Sequence, residues 1–143
     1  MKRLLIAGTG VCLLGAALIA GPATGGTTEF VYAPKDCTKP KIEPKRITLT
    51  CADDGVQLKR MGWDDWNAPK VKGQGKVLVN DCDPNCAEGG TDKYKVKVTL
   101  LNIKRYTCGG RTVQMYRRAH LRFPDRKPPN QNSLRSFQLS CNS

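Results

Sequence analysis

Seven cysteines, a Trp-Asp-Asp-Trp cluster, a scatter of aspartates and one histidine are the groups in this chain able to do chemistry. Cys82 and Cys86 are separated by three residues in NDCDPNCAEGG, a spacing within the range of zinc ligands. A closed structural zinc site needs four ligands, usually two such pairs, and the sequence supplies no second pair and only His120. A stapled turn is the simpler reading, with Asp83, Pro84 and Asn85 supplying the turn chemistry. In GWDDWN, exposed Trp63 and Trp66 beside Asp64 and Asp65 would suit a sugar-binding platform, the rings stacking on the saccharide and the acids bonding its hydroxyls. The competing and favoured reading places Trp63 in the core and Trp66 over its end, because a small core needs large side chains. Asp53, Asp54, Asp64, Asp65, Asp81 and Asp83 would hold calcium only if the turns bearing Asp53 and Asp81 met; no loop has the spaced-acid calcium pattern, and turn-forming aspartate explains them more simply.

Catalysis finds little to work with. The thiols are expected in bridges and His120 falls in a strand, which leaves no nucleophile and base pair. A two-carboxylate glycan hydrolase would use Asp64 or Asp65 with Asp81 or Glu88. No catalytic residue, cofactor or metal is expected.

The N-terminus fixes the compartment in which those cysteines are read. MKR precedes an uncharged run from Leu4 to Ala20 and the exit GPATGG, the three parts of a secretory signal peptide, with cleavage after Ala23 or Gly25. Residues 1–25 are thus taken as leader and 26–143 as a single secreted domain. The alternative, an uncleaved anchor, is argued against by the glycines and Pro22, and a membrane contact is expected only through such a leader. Cys12 leaves with the leader, and six cysteines in an exported chain imply three disulfides. Removing Lys2 and Arg3 leaves 22 basic residues against 12 acidic ones, a net +10. Such a surplus attracts polyanions.

The elements that must position these groups have the punctuation of an all-β domain. RITLTC (Arg46 to Cys51) and VQLKRMGW (Val56 to Trp63) alternate polar and apolar residues about DDG, predicting a hairpin with Asp54 and Gly55 at its tip. GKVLVN (Gly75 to Asn80) is a third strand. In YKVKVTLLNI, Tyr94, Val96, Val98 and Leu100 point one way while Lys95, Lys97 and Thr99 point the other, toward water. TVQMYRRAHLRF (Thr112 to Phe123) is out of simple register, so either Arg117 and Arg118 mark a bulge or the strand changes face midway. FPDRKPPNQN breaks the pattern, LRSFQLSC resumes it, and TTEFVYA is one more strand. No helical period and no internal repeat is present. The expected fold is a small antiparallel β-sandwich or open barrel, disulfide-stapled. In a simple meander Cys51 and Cys82 lie at one end of the sheet, so Cys51 reaches Cys82 or Cys86; the local pairing of Cys37 with Cys51 and Cys82 with Cys86 is equally open.

The series LTCADDG, GWDDWN, GKVLVNDCDPNCAEGG and YKVKVTLLN resembles a family of small secreted actinobacterial proteins of uncharacterised function, over roughly Cys37 to Phe123. The family's four cysteines match Cys37, Cys51, Cys82 and Cys86, which implies that Cys108 pairs with Cys141 and ties back the added segment 124–143. Where relatives often carry a His-containing stretch, this chain has Glu88, Gly89 and Gly90, so His-based chemistry is not expected. The resulting expectation is a secreted, basic, disulfide-stabilised β domain without catalysis, a monomer and a binding or structural component of the cell envelope or extracellular space. Its expected partner is an anionic cell-wall polymer or glycan, with Lys93, Lys95, Lys97, Lys104, Arg105, Arg117 and Arg118 as the basic surface. The alternative is glycan binding or hydrolysis by the Trp63 to Trp66 region. Tyr94, Tyr106 and Tyr116 among basic residues suit single-strand nucleic acid, but an exported protein seldom meets it.

Overall fold

A computed structural model describes residues 29–53, 55–129 and 131–141; the expected leader and Asp54 of the expected hairpin tip lie outside them. The described chain forms eight strands: β1 (Val31–Asp36), β2 (Lys39–Lys41), β3 (Arg46–Thr48), β4 (Val56–Asp64), β5 (Lys70–Asn80), β6 (Thr91–Cys108), β7 (Arg111–Arg122) and β8 (Ser136–Gln138). They make one sheet in the order β2-β1-β7-β6-β5-β4-β3, with β8 also on β7. The sheet curls into a half-barrel. One pairing departs from the antiparallel expectation: β1 runs parallel to β7, Val31 beside Gln114 and Tyr32 beside Met115. A parallel neighbour needs a long connection rather than a hairpin, and here all of β2 to β6 intervenes.

Curling gives a single sheet an inside. Val56, Leu58, Met61, Val71, Val77, Tyr94, Val96, Val98, Leu100, Ala119 and Leu121 are buried along the inner face. The curl also brings β1, next to one end of the strand order, alongside β3 at the other. Cys37 bonds Cys51 across this seam, with Cα atoms 5.6 Å apart. Cys82 bonds Cys86, and Cys108 bonds Cys141, so the pairing within the first four cysteines is the local one. Three disulfides fit an oxidising environment.

Strand β5 begins earlier than the sequence suggests, at Lys70, because its glycines are packing features and not breaks. Gly73 lies opposite Trp63, and a Cβ there would overlap the indole ring. At Gly75 a Cβ would come within 2.5 Å of the Met61 sulfur. The face change expected near Arg117 is real and belongs to two strands. Pairing of β6 with β7 keeps its register past Asn102, yet Asn102 has φ of 68°. Beyond it the buried residues Cys108, Val113 and Met115 join Cys141 in a second small cluster with Tyr32 and Tyr106, covered by the C-terminal segment.

Two glycine substitutions separate these roles. Gly73→Ala should cost about 1 to 3 kcal/mol through overpacking against Trp63. Gly62→Ala, whose Cβ would meet open space, should be neutral or stabilise by up to about 1 kcal/mol. Urea denaturation of both variants measures the difference. Replacing Cys37 and Cys51 together by alanine should cost about 2 to 5 kcal/mol in the same assay.

Candidate functional site

Strand alternation that sends Leu58, Val77 and Val96 inward must send their neighbours outward. Register then aligns those neighbours across strands. Arg46 of β3 pairs with Lys59 of β4, Lys59 with Lys76 of β5, and Lys76 with Lys95 of β6. Four cations therefore stand side by side on four adjacent strands, a row of roughly 14 Å at the usual strand spacing. Like charges directly opposite one another destabilise a sheet. A second row sets Gly62, Gln74, Lys97 and Arg122 together, and a third sets Asp64, Lys72, Thr99 and His120.

Acid relieves this face only at its rim. Lys95 Nζ lies 2.9 Å from Asp125 Oδ2, and Arg126 lies 3.8 Å from Asp92. These are the ion pairs among the described residues, and both are largely exposed. Between the rows run two shallow grooves, of about 430 Å³ lined by Arg60, Gln74, Lys76, Lys95 and Lys97, and about 550 Å³ lined by Asp64, Lys72, Lys97, His120 and Arg122. Gly62 leaves the outer surface open, and Arg60 sits at a bulge, with φ of 53°, where the pairing of β4 with β5 shifts by one residue. Bulges re-aim side chains, and this one lets an extra cation flank the groove.

The tryptophans are placed otherwise. Trp63 Nε1 donates to Pro44 O at 2.9 Å and Trp66 Nε1 donates to Val31 O at 2.8 Å. Trp63, Trp66 and Tyr116 stack edge to face with centroids 5.4 Å apart, and the Tyr116 hydroxyl donates to Ala68 O. Both indoles are packed against the main core. Asp64 lies on the outer face with Lys72, whereas exposed Asp65, with φ of 46°, belongs to the turn into β5.

Asp81 is brought to neither. It lies past the far end of β5, nine residues and roughly 30 Å of extended chain from Lys72, the residue opposite Asp64, well beyond the separation of a glycosidase carboxylate pair. Its Oδ1 accepts the Asp83 N–H, and its own N–H donates to Gly90 O. The NDCDPNCAEGG turn is closed by such bonds: Asn80 Nδ2 to Cys86 O, Cys82 N to Asn80 Oδ1, and Ala87 and Glu88 N–H to Asn85 Oδ1. The Asp53 turn does meet it, Asn80 N donating to Gly55 O. Asp53, however, is engaged by the Gly55 N–H and by Thr50, which lower its pKa. Among the described residues no three His, Cys, Asp or Glu side chains converge.

Of the other predicted cations, Lys93, Lys95 and Lys97 share the outer face of β6. Arg117 does not join them: its Nε donates to Leu139 O and its guanidinium lies 3.6 Å over the Tyr106 ring, so it fastens the C-terminal segment. Arg118 and Lys104 line a separate recess with Asn102 and Gln138. Arg105 is exposed opposite Gln114 on β7, nearer the hairpin tip. Sequence reasoning missed Arg46, Lys59, Lys76 and Arg122. The alternation in RITLTC and VQLKRMGW turned Arg46 and Lys59 outward, but a tip at Asp54 and Gly55 would have set Arg46 against Trp63, and the observed register, four residues away, pairs it with Lys59. No protein-family model, curated protein or solved structure matches this chain.

Burial raises the pKa of Tyr116, and burial followed by the hydrogen bond to Asp92 raises that of Tyr94. A phenol that resists ionisation when folded contributes stability present in full below about pH 10 and lost as pH rises through its folded value. Stability should therefore fall above about pH 10, and less steeply in Tyr116→Phe, which itself loses about 1 kcal/mol at neutral pH with its hydrogen bond to Ala68. Urea midpoints measured from pH 7 to 11 test both statements.

Proposed function

We propose that this protein is an exported, non-catalytic binding domain that holds anionic polymers of the cell envelope against the outer face of its sheet. The observation that carries the reading is the row Arg46, Lys59, Lys76 and Lys95, directly opposed across four strands. A sheet of this size gains nothing in stability from facing like charges, and solubility needs only scattered ones. A polyanion laid across the strands would neutralise the row and release its own counterions. Three disulfides support work outside the cell, as does the resemblance to small exported actinobacterial proteins. Sugar binding by the Trp63 to Trp66 region has less support, because both indole N–H groups are spent on backbone carbonyls of the fold.

Retention on an immobilised phosphate-rich or uronate-rich wall polymer tests the proposal. Raising salt from about 50 to 500 mM should abolish retention, as screening predicts. Lys76→Glu with Lys59→Glu should weaken it at least about tenfold, while Asp65→Asn leaves it unchanged. Salt-independent retention, or full retention by the double variant, would refute the electrostatic reading.

A further inference from the structure

Where the curl brings β1 alongside β3, a groove of about 450 Å³ is lined, among the described residues, by Lys35, Lys41, Lys45, Arg46, Lys59 and Arg60. Lys35 comes from β1 and Lys41 from β2 on one side of the seam; Arg46 comes from β3 and Lys59 and Arg60 from β4 on the other. None of the six takes part in an ion pair among the described residues. The nearest acids in sequence are turned to other work or away: Asp36 Oδ1 accepts the Thr38 hydroxyl, and exposed Glu43, with φ of 46°, does not line the groove.

The two walls are held together from both sides. Cys37–Cys51 ties the end of β1 to the segment after β3, and the turn after β4 reaches β1 through Trp66 Nε1 donating to Val31 O and Asn67 Oδ1 accepting the Val31 N–H; Met61 N to Lys45 O and Trp63 Nε1 to Pro44 O fasten the lead-in of β3 to β4. The cations are thus gathered before any ligand arrives, so little ordering is left for binding to impose. Six positive charges around one open groove favour a group of high charge density. Two of the six are arginines, whose planar forks match phosphate oxygens in pairs, and the lysines add point charges. Uronate chains carry their charges singly and farther apart.

From this geometry we infer that the seam groove is a binding site for a compact, multiply charged phosphate group, such as a diphosphate or a terminal phosphomonoester. It goes beyond the polymer reading and shares with it only Arg46, Lys59 and Arg60. A phosphate seated there touches both walls of the seam, so its binding stabilises the curled sheet.

Thermal unfolding of the intact oxidised protein with inorganic pyrophosphate, at ionic strength fixed with sodium chloride, tests the site. About 1 mM pyrophosphate should raise the melting temperature by roughly 3 °C or more, with a saturable dose dependence. Lys41→Gln with Lys45→Gln, which alters only the seam, should weaken the apparent affinity at least about tenfold while polymer retention falls less than about twofold. Lys76→Gln with Lys95→Gln, on the sheet face, should do the reverse. A shift no larger than sodium chloride alone produces, or an undiminished shift in the seam variant, overturns the site, and polymer retention by the parent protein is scored independently. Given saturable pyrophosphate binding, sedimentation with phosphatidic acid vesicles that pyrophosphate competes away assigns the phosphate to a lipid headgroup. Its absence assigns it to a soluble compound. Either result sustains the groove.

Discussion

The structure depends on one constraint: a single sheet must find something to bury its inner face against, and this chain has no helix among its described residues to offer. Curling is the solution, and curling is expensive unless its two ends are joined. The aromatic stack of Trp63, Trp66 and Tyr116 does the joining from inside. Each indole lends its flat body to the core and its one polar atom to a carbonyl near the seam, Pro44 before β3 and Val31 in β1. The Val31 N–H in turn donates to Asn67 Oδ1. Glycines at 73 and 75 are the counterpart, removing the side chains that would keep Trp63 and Met61 from lying on β5. Among the described residues no buried side-chain N or O lacks a hydrogen-bond partner, so the closure leaves no polar atom stranded.

Once the inner face is committed, the outer face has no freedom. Period-two geometry exports every second residue of β4, β5, β6 and β7, and this sequence fills those places with lysine, arginine and glutamine more than with acid. The cost is electrostatic and falls on the same strands that the core holds together. Disulfides act where that cost is felt: Cys37–Cys51 spans the seam with its six cations, and Cys108–Cys141 fastens the segment whose Leu134 and Leu139 complete the core.

Much of this was legible in the residues. Alternation in YKVKVTLLNI placed Tyr94, Val96, Val98 and Leu100 inside, and they are buried. The DDG signal between two alternating runs placed the β3 and β4 hairpin. The glycines of KVKGQG were misleading for a physical reason: a glycine that makes room for a ring and a glycine that turns the chain look alike until the partner across the strand is known. The parallel contact of β1 with β7 was equally hidden, because no local pattern encodes a neighbour some eighty residues away. For the candidate face, the cations of β6 were readable from one strand alone, but the row was not. A row is a property of register across four strands, and register is settled by turns, bulges and burial together.

That difference bears on how charge becomes a site. A net charge of +12 describes the whole sequence and is compatible with a surface of scattered, independently solvated groups. What the fold adds is correlation: Lys59 faces Lys76 because Leu58 and Val77 must both be inside, and Lys41 and Arg46 line one groove because the sheet curls. The cations are held together by apolar contacts that outweigh their mutual repulsion. An anion bound there would offset part of that repulsion, which couples ligand affinity to the packing of the curled sheet.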